Sequence, residues 1–130
     1  SQPLIETVVG YGLAHFKAEN WPIQEAMRGI ETVCADAFSY LKQQEDDSVD
    51  VVYFDPMFRH PLLESRSLSP LRTVANHAPV SPAMIEEACR VARRRVVFKE
   101  NARSLEFERL GFTQIMGGRY SKVHYGVRIL

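Results

Sequence analysis

Asp50-Val51-Val52-Tyr53-Phe54-Asp55-Pro56-Met57-Phe58 is an apolar run that stops abruptly on a carboxylate and a proline. From Val49 to Phe54 valine and aromatic residues fill both alternating faces, and Asp50 is the one charge. A run apolar on both faces is the pattern of a central strand in a parallel sheet. Asp46-Asp47-Ser48 ahead of it reads as a turn. Behind it, residues 57–80 carry Pro61, Pro70 and Pro79 and no clear periodicity, so they read as a long functional loop.

Working outward toward the C-terminus, Ser81-Pro82 predicts a capped helix start, and Met84, Ile85, Ala88, Val91 and Ala92 give it one apolar face to about Arg93. Arg95 to Lys99 reads as a second buried strand, and Ser104 to Leu110 as a helix closed by Gly111. Phe112 to Met116 and Lys122 to Leu130, around Gly117-Gly118-Arg119-Tyr120-Ser121, predict an antiparallel hairpin. Toward the N-terminus the pattern predicts a helix from Pro3 to about Lys17, a short one from Ile23 to Arg28, a strand at Ile30-Glu31-Thr32-Val33-Cys34, and a helix from Ala37 to Gln44. Trp21 and Tyr53 are expected in the core. Strand and helix alternate, so the expected fold is α/β in a single domain over residues 1–130, with a mostly parallel sheet and a C-terminal antiparallel hairpin. Ligands of such sheets bind beyond the carboxyl ends of the strands. That rule selects Asp36, Asp55 to Arg59, and Lys99 to Asn101.

The 130 residues are 45% hydrophobic and 25% charged, and sixteen basic side chains balance sixteen acidic ones. Attraction to a polyanion must therefore come from local clusters. Arg90, Arg93, Arg94 and Arg95, followed by Lys99 and Arg103, form one; the alternative is a solvated helix end. Cys34 and Cys89 lie in apolar segments without metal-site spacing, which argues against zinc and predicts buried free thiols in a reducing compartment. No apolar run approaches the roughly 20 residues needed to cross a bilayer and no signal-peptide pattern opens the chain, so a cytoplasmic location is expected.

The Asp55-Pro56-Met57-Phe58 block, set after a strand, resembles the Asp/Asn-Pro-Pro-aromatic signature of methyltransferases that act on amino groups conjugated to a ring. The lone pair of such a nitrogen is delocalised. An acceptor held against its N–H orients it and stabilises the charge that develops as methyl arrives. Asp55 offers a carboxylate, Pro56 a carbonyl in a fixed direction, and Phe58 a ring on which an extruded base can stack. With Met57 in place of the second proline, the block is similar to the bacterial 16S ribosomal RNA guanine-N2 methyltransferases, of the Rossmann-like class dependent on S-adenosylmethionine. Val96-Val97-Phe98-Lys99 and the closing hairpin from Gly117 to Tyr125 extend the similarity. The resemblance implies an rRNA substrate and S-adenosylmethionine as cofactor. It places Asp55, Pro56 and Phe58 in catalysis, Asp36, Ala37 and Asp55 at the cofactor, and Phe58, Arg59 and Lys99 at the substrate. Asp36 also reads simply as an N-cap.

A strand followed by a glycine-rich loop, the usual cradle for the methionine end of that cofactor, is not found. Gly10 and Gly12 fall in a helical pattern without a third glycine. Complete members of the class place that first strand in the middle of the sheet, so the strands ending at Asp36 and at Asp55 are not expected to be neighbours here. The expectation is a C-terminal part of a methyltransferase domain, completed by a missing N-terminal segment or by a homodimer. Two rival readings stand beside it: a methyltransferase for DNA or a small amine, and a non-catalytic module that binds protein through residues 57–80. Arg59, Arg66, Arg72 and Lys99 on one basic face would favour RNA.

Overall fold

A computed structural model of the chain describes residues 2–57 and 76–130. The described elements are α1 (Pro3–His15), α2 (Trp21–Arg28), α3 (Ala37–Gln43), β1 (Val49–Phe54), α4 (Pro82–Val91), β2 (Ala92–Asn101), α5 (Glu106–Arg109), β3 (Gln114–Met116) and β4 (Val123–Ile129). The sheet order is β1-β2-β4-β3. β1 and β2 are parallel, with Val52 beside Val96 and Phe54 beside Phe98, whereas β4 runs antiparallel to both β2 and β3.

The core lies on one face of the sheet. Val96, Phe98 and Glu100 alternate inward along β2 and are buried, and Ile85, Ala88 and Val91 of α4 lie in the same core. Phe98 stacks on Phe112 at 5.7 Å between centroids and meets Phe107 edge-on at 5.9 Å. Gly126 is opposite Phe98, and Phe107 and Phe112 close over the space a side chain there would need. Ser81 caps α4 by accepting the Met84 N–H at 3.2 Å, with Pro82 in the first turn. Gly111, at φ 73°, ends α5: its N–H reaches the Glu108 carbonyl and the Phe112 N–H reaches Phe107, the paired bonds of a Schellman motif. Arg90 ties α3 to α4 by donating to the carbonyls of Leu41 and Gln44 while pairing with Asp46 and Glu87.

The opposite face of the sheet carries Val49, Val51, Tyr53 and Met116, all exposed. Several expectations change for this reason. Ile30 to Cys34 forms no strand, because a strand needs a neighbour for its ladder; Thr32 instead donates to Glu6 of α1 at 2.6 Å. The sheet is therefore not mostly parallel among the described residues: one of its three pairings is parallel. Among the described residues β1 is an edge strand rather than a central one. Tyr53 is 50% exposed and Trp21 69% exposed, and Cys34 is an exposed thiol, so none of the three belongs to the core. Arg93 to Arg95 belong to β2 rather than to a helix end, and Arg93 pairs with Asp50 at 2.9 Å.

Candidate active site

Parallel pairing puts the carboxyl ends of β1 and β2 at the same edge of the sheet, and continuing the register one residue past Phe54 and Phe98 sets Asp55 opposite Lys99. The side chains meet: Lys99 Nζ donates to Asp55 Oδ2 at 3.1 Å. Tyr125 of β4 is the cross-strand partner of Lys99, and Tyr53, two residues before Asp55, points to the same side. Burial pulls the Lys99 ammonium down, but the hydrogen bond and charge of Asp55, with smaller contributions from Tyr53 and Tyr125, outweigh it and raise its pKa. Tyr53 is raised as well, first by burial and then by the Asp55 charge. Pro56 follows with no N–H of its own, so the backbone there offers a carbonyl without a competing donor.

Asp36 caps α3: its Oδ2 accepts the Ser39 N–H at 2.9 Å and the Ser39 hydroxyl at 3.0 Å. The backbone bond first, and then the hydroxyl, hold its pKa below the ordinary carboxylate value. Ala37 is the first residue of α3, where a backbone N–H has no partner within the helix. An acceptor carboxylate next to an unsatisfied N–H matches the amino group and adjacent ring nitrogen of an adenine, so the residues present fit that end of the cofactor. No hydrogen bond or ion pair joins Asp36 to Asp55. Phe58, Arg59, His60, Arg66 and Arg72 lie outside the described residues.

Sequence reasoning placed Asp55 and Lys99 at separate strand ends and missed their pairing, because the two are 44 positions apart and only the register joins them. It also missed the recess beyond them. Asn101 to Ser104 and Arg119 to Lys122, with His124, line a groove of about 760 Å³ just past the end of β2.

Residues 1–116 match the family described as "Putative SAM-dependent methyltransferase". The chain is 41% identical over 124 residues to the uncharacterized protein YpiP of Bacillus subtilis, a match covering 95% of this chain and 48% of that protein. Ribosomal RNA small subunit methyltransferase J of Pseudomonas fluorescens is similar at 29% identity over 101 residues in strain Pf0-1, and at 27% in strain SBW25. Each of these two matches covers 75% of this chain and 38% of the relative. The chain thus spans about half the length, or less, of the curated relatives it matches. No solved structure matches it.

Proposed function

The chain belongs to the SAM-dependent methyltransferase family, and from that membership we propose that it carries the target side of a methyl transfer to an exocyclic amino nitrogen of a nucleic-acid base, guanine N2 of small-subunit rRNA. The observation that carries this reading is a carboxylate at a strand end, Asp55, held by Lys99 at 3.1 Å and followed directly by proline. S-adenosylmethionine, when bound, supplies a methyl group made electrophilic by its sulfonium. Asp55 and the Pro56 carbonyl accept from the target amino group and set its lone pair toward that methyl. As the new N–C bond forms, the Asp55 carboxylate offsets the positive charge growing on nitrogen, and the surplus proton passes to solvent. Lys99 keeps the Asp55 carboxylate in place, and Phe58 and Arg59 stack on and anchor the RNA. The similarity to two rRNA methyltransferases supports RNA over DNA or a small amine as the substrate. A cytoplasmic location accompanies that substrate. No described helix is long and apolar enough to cross a membrane.

Asp36 and Ala37 take the cofactor adenine. Calorimetric titration with S-adenosylhomocysteine is expected to find the Asp36→Ser variant weaker than the parent by about 10-fold, the loss of a charge-assisted hydrogen bond. Serine is itself a good N-cap, so the unfolding midpoint should scarcely move. Equal affinity in the two proteins would remove Asp36 from the adenine site.

The open sheet face and the free edge of β1 are covered by further chain, either an N-terminal segment or a second copy. Support comes from Val49, Val51 and Tyr53, exposed on a strand that is at the sheet edge among the described residues and whose backbone groups there invite another strand. Sedimentation equilibrium tests the second copy: a dimer is expected, with Val51→Lys shifting it to monomer. A chain that stays monomeric throughout would leave the N-terminal segment as the cover.

A further inference from the structure

The groove past the end of β2 is built from two segments well separated in the chain. Asn101 to Ser104 form one bank, Arg119 to Lys122 the other, and the Ala102 N–H joins them by donating to the Lys122 carbonyl at 3.0 Å. The second bank is a held turn. Ser121 N–H donates to the Gly118 carbonyl at 2.9 Å, Ser121 Oγ donates to the Val123 carbonyl at 2.6 Å, and Val123 N–H returns to Ser121 Oγ at 3.2 Å. The His124 ring packs so closely under Gly117 that a Cβ there would fall 2.0 Å from Cδ2.

What this turn presents is unusual for the molecule. Tyr120 is 89% exposed, and the Arg119 guanidinium lies 5.6 Å from its ring centroid. Arg103, Arg119 and Lys122 line the groove and, among the described residues, no carboxylate does. Arg90, Arg93, Arg109 and Arg128 each face an acid, whereas Arg103 and Arg119, like Arg28, Arg94 and Arg95, face none among the described residues; what sets Arg103 and Arg119 apart is that they share one groove. The whole chain is neutral, so this is local charge set next to an exposed aromatic ring. Cations for a backbone and a ring for a base are the paired requirements of single-stranded nucleic-acid binding; an acidic peptide would need the cations alone. Asn101, at one end of the groove, follows Lys99 by two residues on the same side of β2, about 7 Å along the strand, so the groove continues from the strand end that carries Lys99.

We propose that this groove is a subsite for the nucleotide next to the target base in single-stranded RNA, with its base stacked on Tyr120 and its phosphate held by Arg119, Lys122 and Arg103. The assignment rests on the reading of the chain as an RNA methyltransferase and adds where the flanking strand runs. A turn already fixed by its own hydrogen bonds presents the ring and guanidinium with little left to order on binding.

The test is fluorescence anisotropy with a labelled, unstructured single-stranded RNA. Tyr120→Ala is expected to weaken binding by about 10-fold or more, and Tyr120→Phe to preserve it. Arg119→Gln should flatten the slope of log K against log salt by about 0.7, the release of one phosphate contact on a single strand. Tyr120 is so exposed that its truncation leaves the fold intact, which circular dichroism checks. Parent-like RNA affinity in Tyr120→Ala and Arg119→Gln overturns the groove while leaving RNA as substrate. If the parent binds S-adenosylhomocysteine but no RNA, or if an acidic peptide takes the groove in place of RNA, the substrate reading falls and the groove assignment with it.

Discussion

Phe98→Ala is expected to lower the stability of the fold by about 3–5 kcal/mol, a large share of what a domain of this size has. Phe98 is 1% exposed and touches two further rings, Phe107 and Phe112, so truncation removes apolar contact and leaves a cavity between β2, α5 and the segment that follows α5. β2 could not close that cavity by shifting, because it is hydrogen-bonded to β1 on one side and β4 on the other. The same cluster should fail from the opposite direction. A Cβ on Gly126 would sit 2.7 Å from Phe112 Cγ and 2.9 Å from Phe107 Cδ1, and Gly126→Ala is expected to cost about 1–3 kcal/mol through overpacking. Urea unfolding gives the comparison, with a reduced midpoint at constant slope. A Phe98→Ala midpoint no lower than that of Tyr120→Ala, whose ring is solvated, would show that the three rings are not the core. The consequence reaches the site, since the strand that carries Phe98 inward also carries Lys99 outward to Asp55.

The parts of the fold legible in the sequence were those with local causes. Val49–Phe54, the Ser81-Pro82 helix start, the Gly111 cap and the closing hairpin each follow from backbone propensity or one-sided apolar spacing, and each forms where expected. Ile30 to Cys34 has the composition of a strand but lacks a neighbour to complete its ladder, and composition carries no information about neighbours. Tyr53 fails for the same reason: an alternating apolar run predicts burial only if something covers both faces. Arg90 looked like part of a basic patch. It is instead a clasp on the last carbonyls of α3, a role set by a contact across 49 positions. The site divides the same way. Asp36, Asp55 and Lys99 stand out as candidates in the sequence because they end or follow apolar runs, whereas the Asp55–Lys99 pair and the groove past Asn101 depend on strand register, which period-two alternation leaves open.

On the proposed function, Asp55→Ala is expected to reduce methyl transfer to an rRNA fragment by about 10²–10³-fold in kcat, the usual consequence of removing one group aimed at developing charge. The affinities for RNA and for S-adenosylmethionine should change far less, because in the proposed reaction the carboxylate acts on a nitrogen whose charge appears only as the bond forms. Equal losses in kcat and kcat/KM are the signature of such an interaction. Asp55→Asn should fall between parent and alanine: it keeps a carbonyl acceptor but loses the charge, and it turns a neutral amide toward Lys99. The pH dependence follows from Lys99. Its pKa is raised in the folded protein, so the stabilisation from the pair is fully present below the ordinary value of 10.5 and is lost as pH rises through the folded value. Tyr53, raised from 10.0, behaves in the same sense. The rate of the parent should therefore show no break from this cluster through the neutral range. In Asp55→Ala, Lys99 loses the partner that opposed its burial, and its pKa should drop, which lysine-selective NMR can follow. A folded Asp55→Ala protein with parent-like kcat would take Asp55 out of the reaction and turn attention to residues 57–80 as a protein-binding segment.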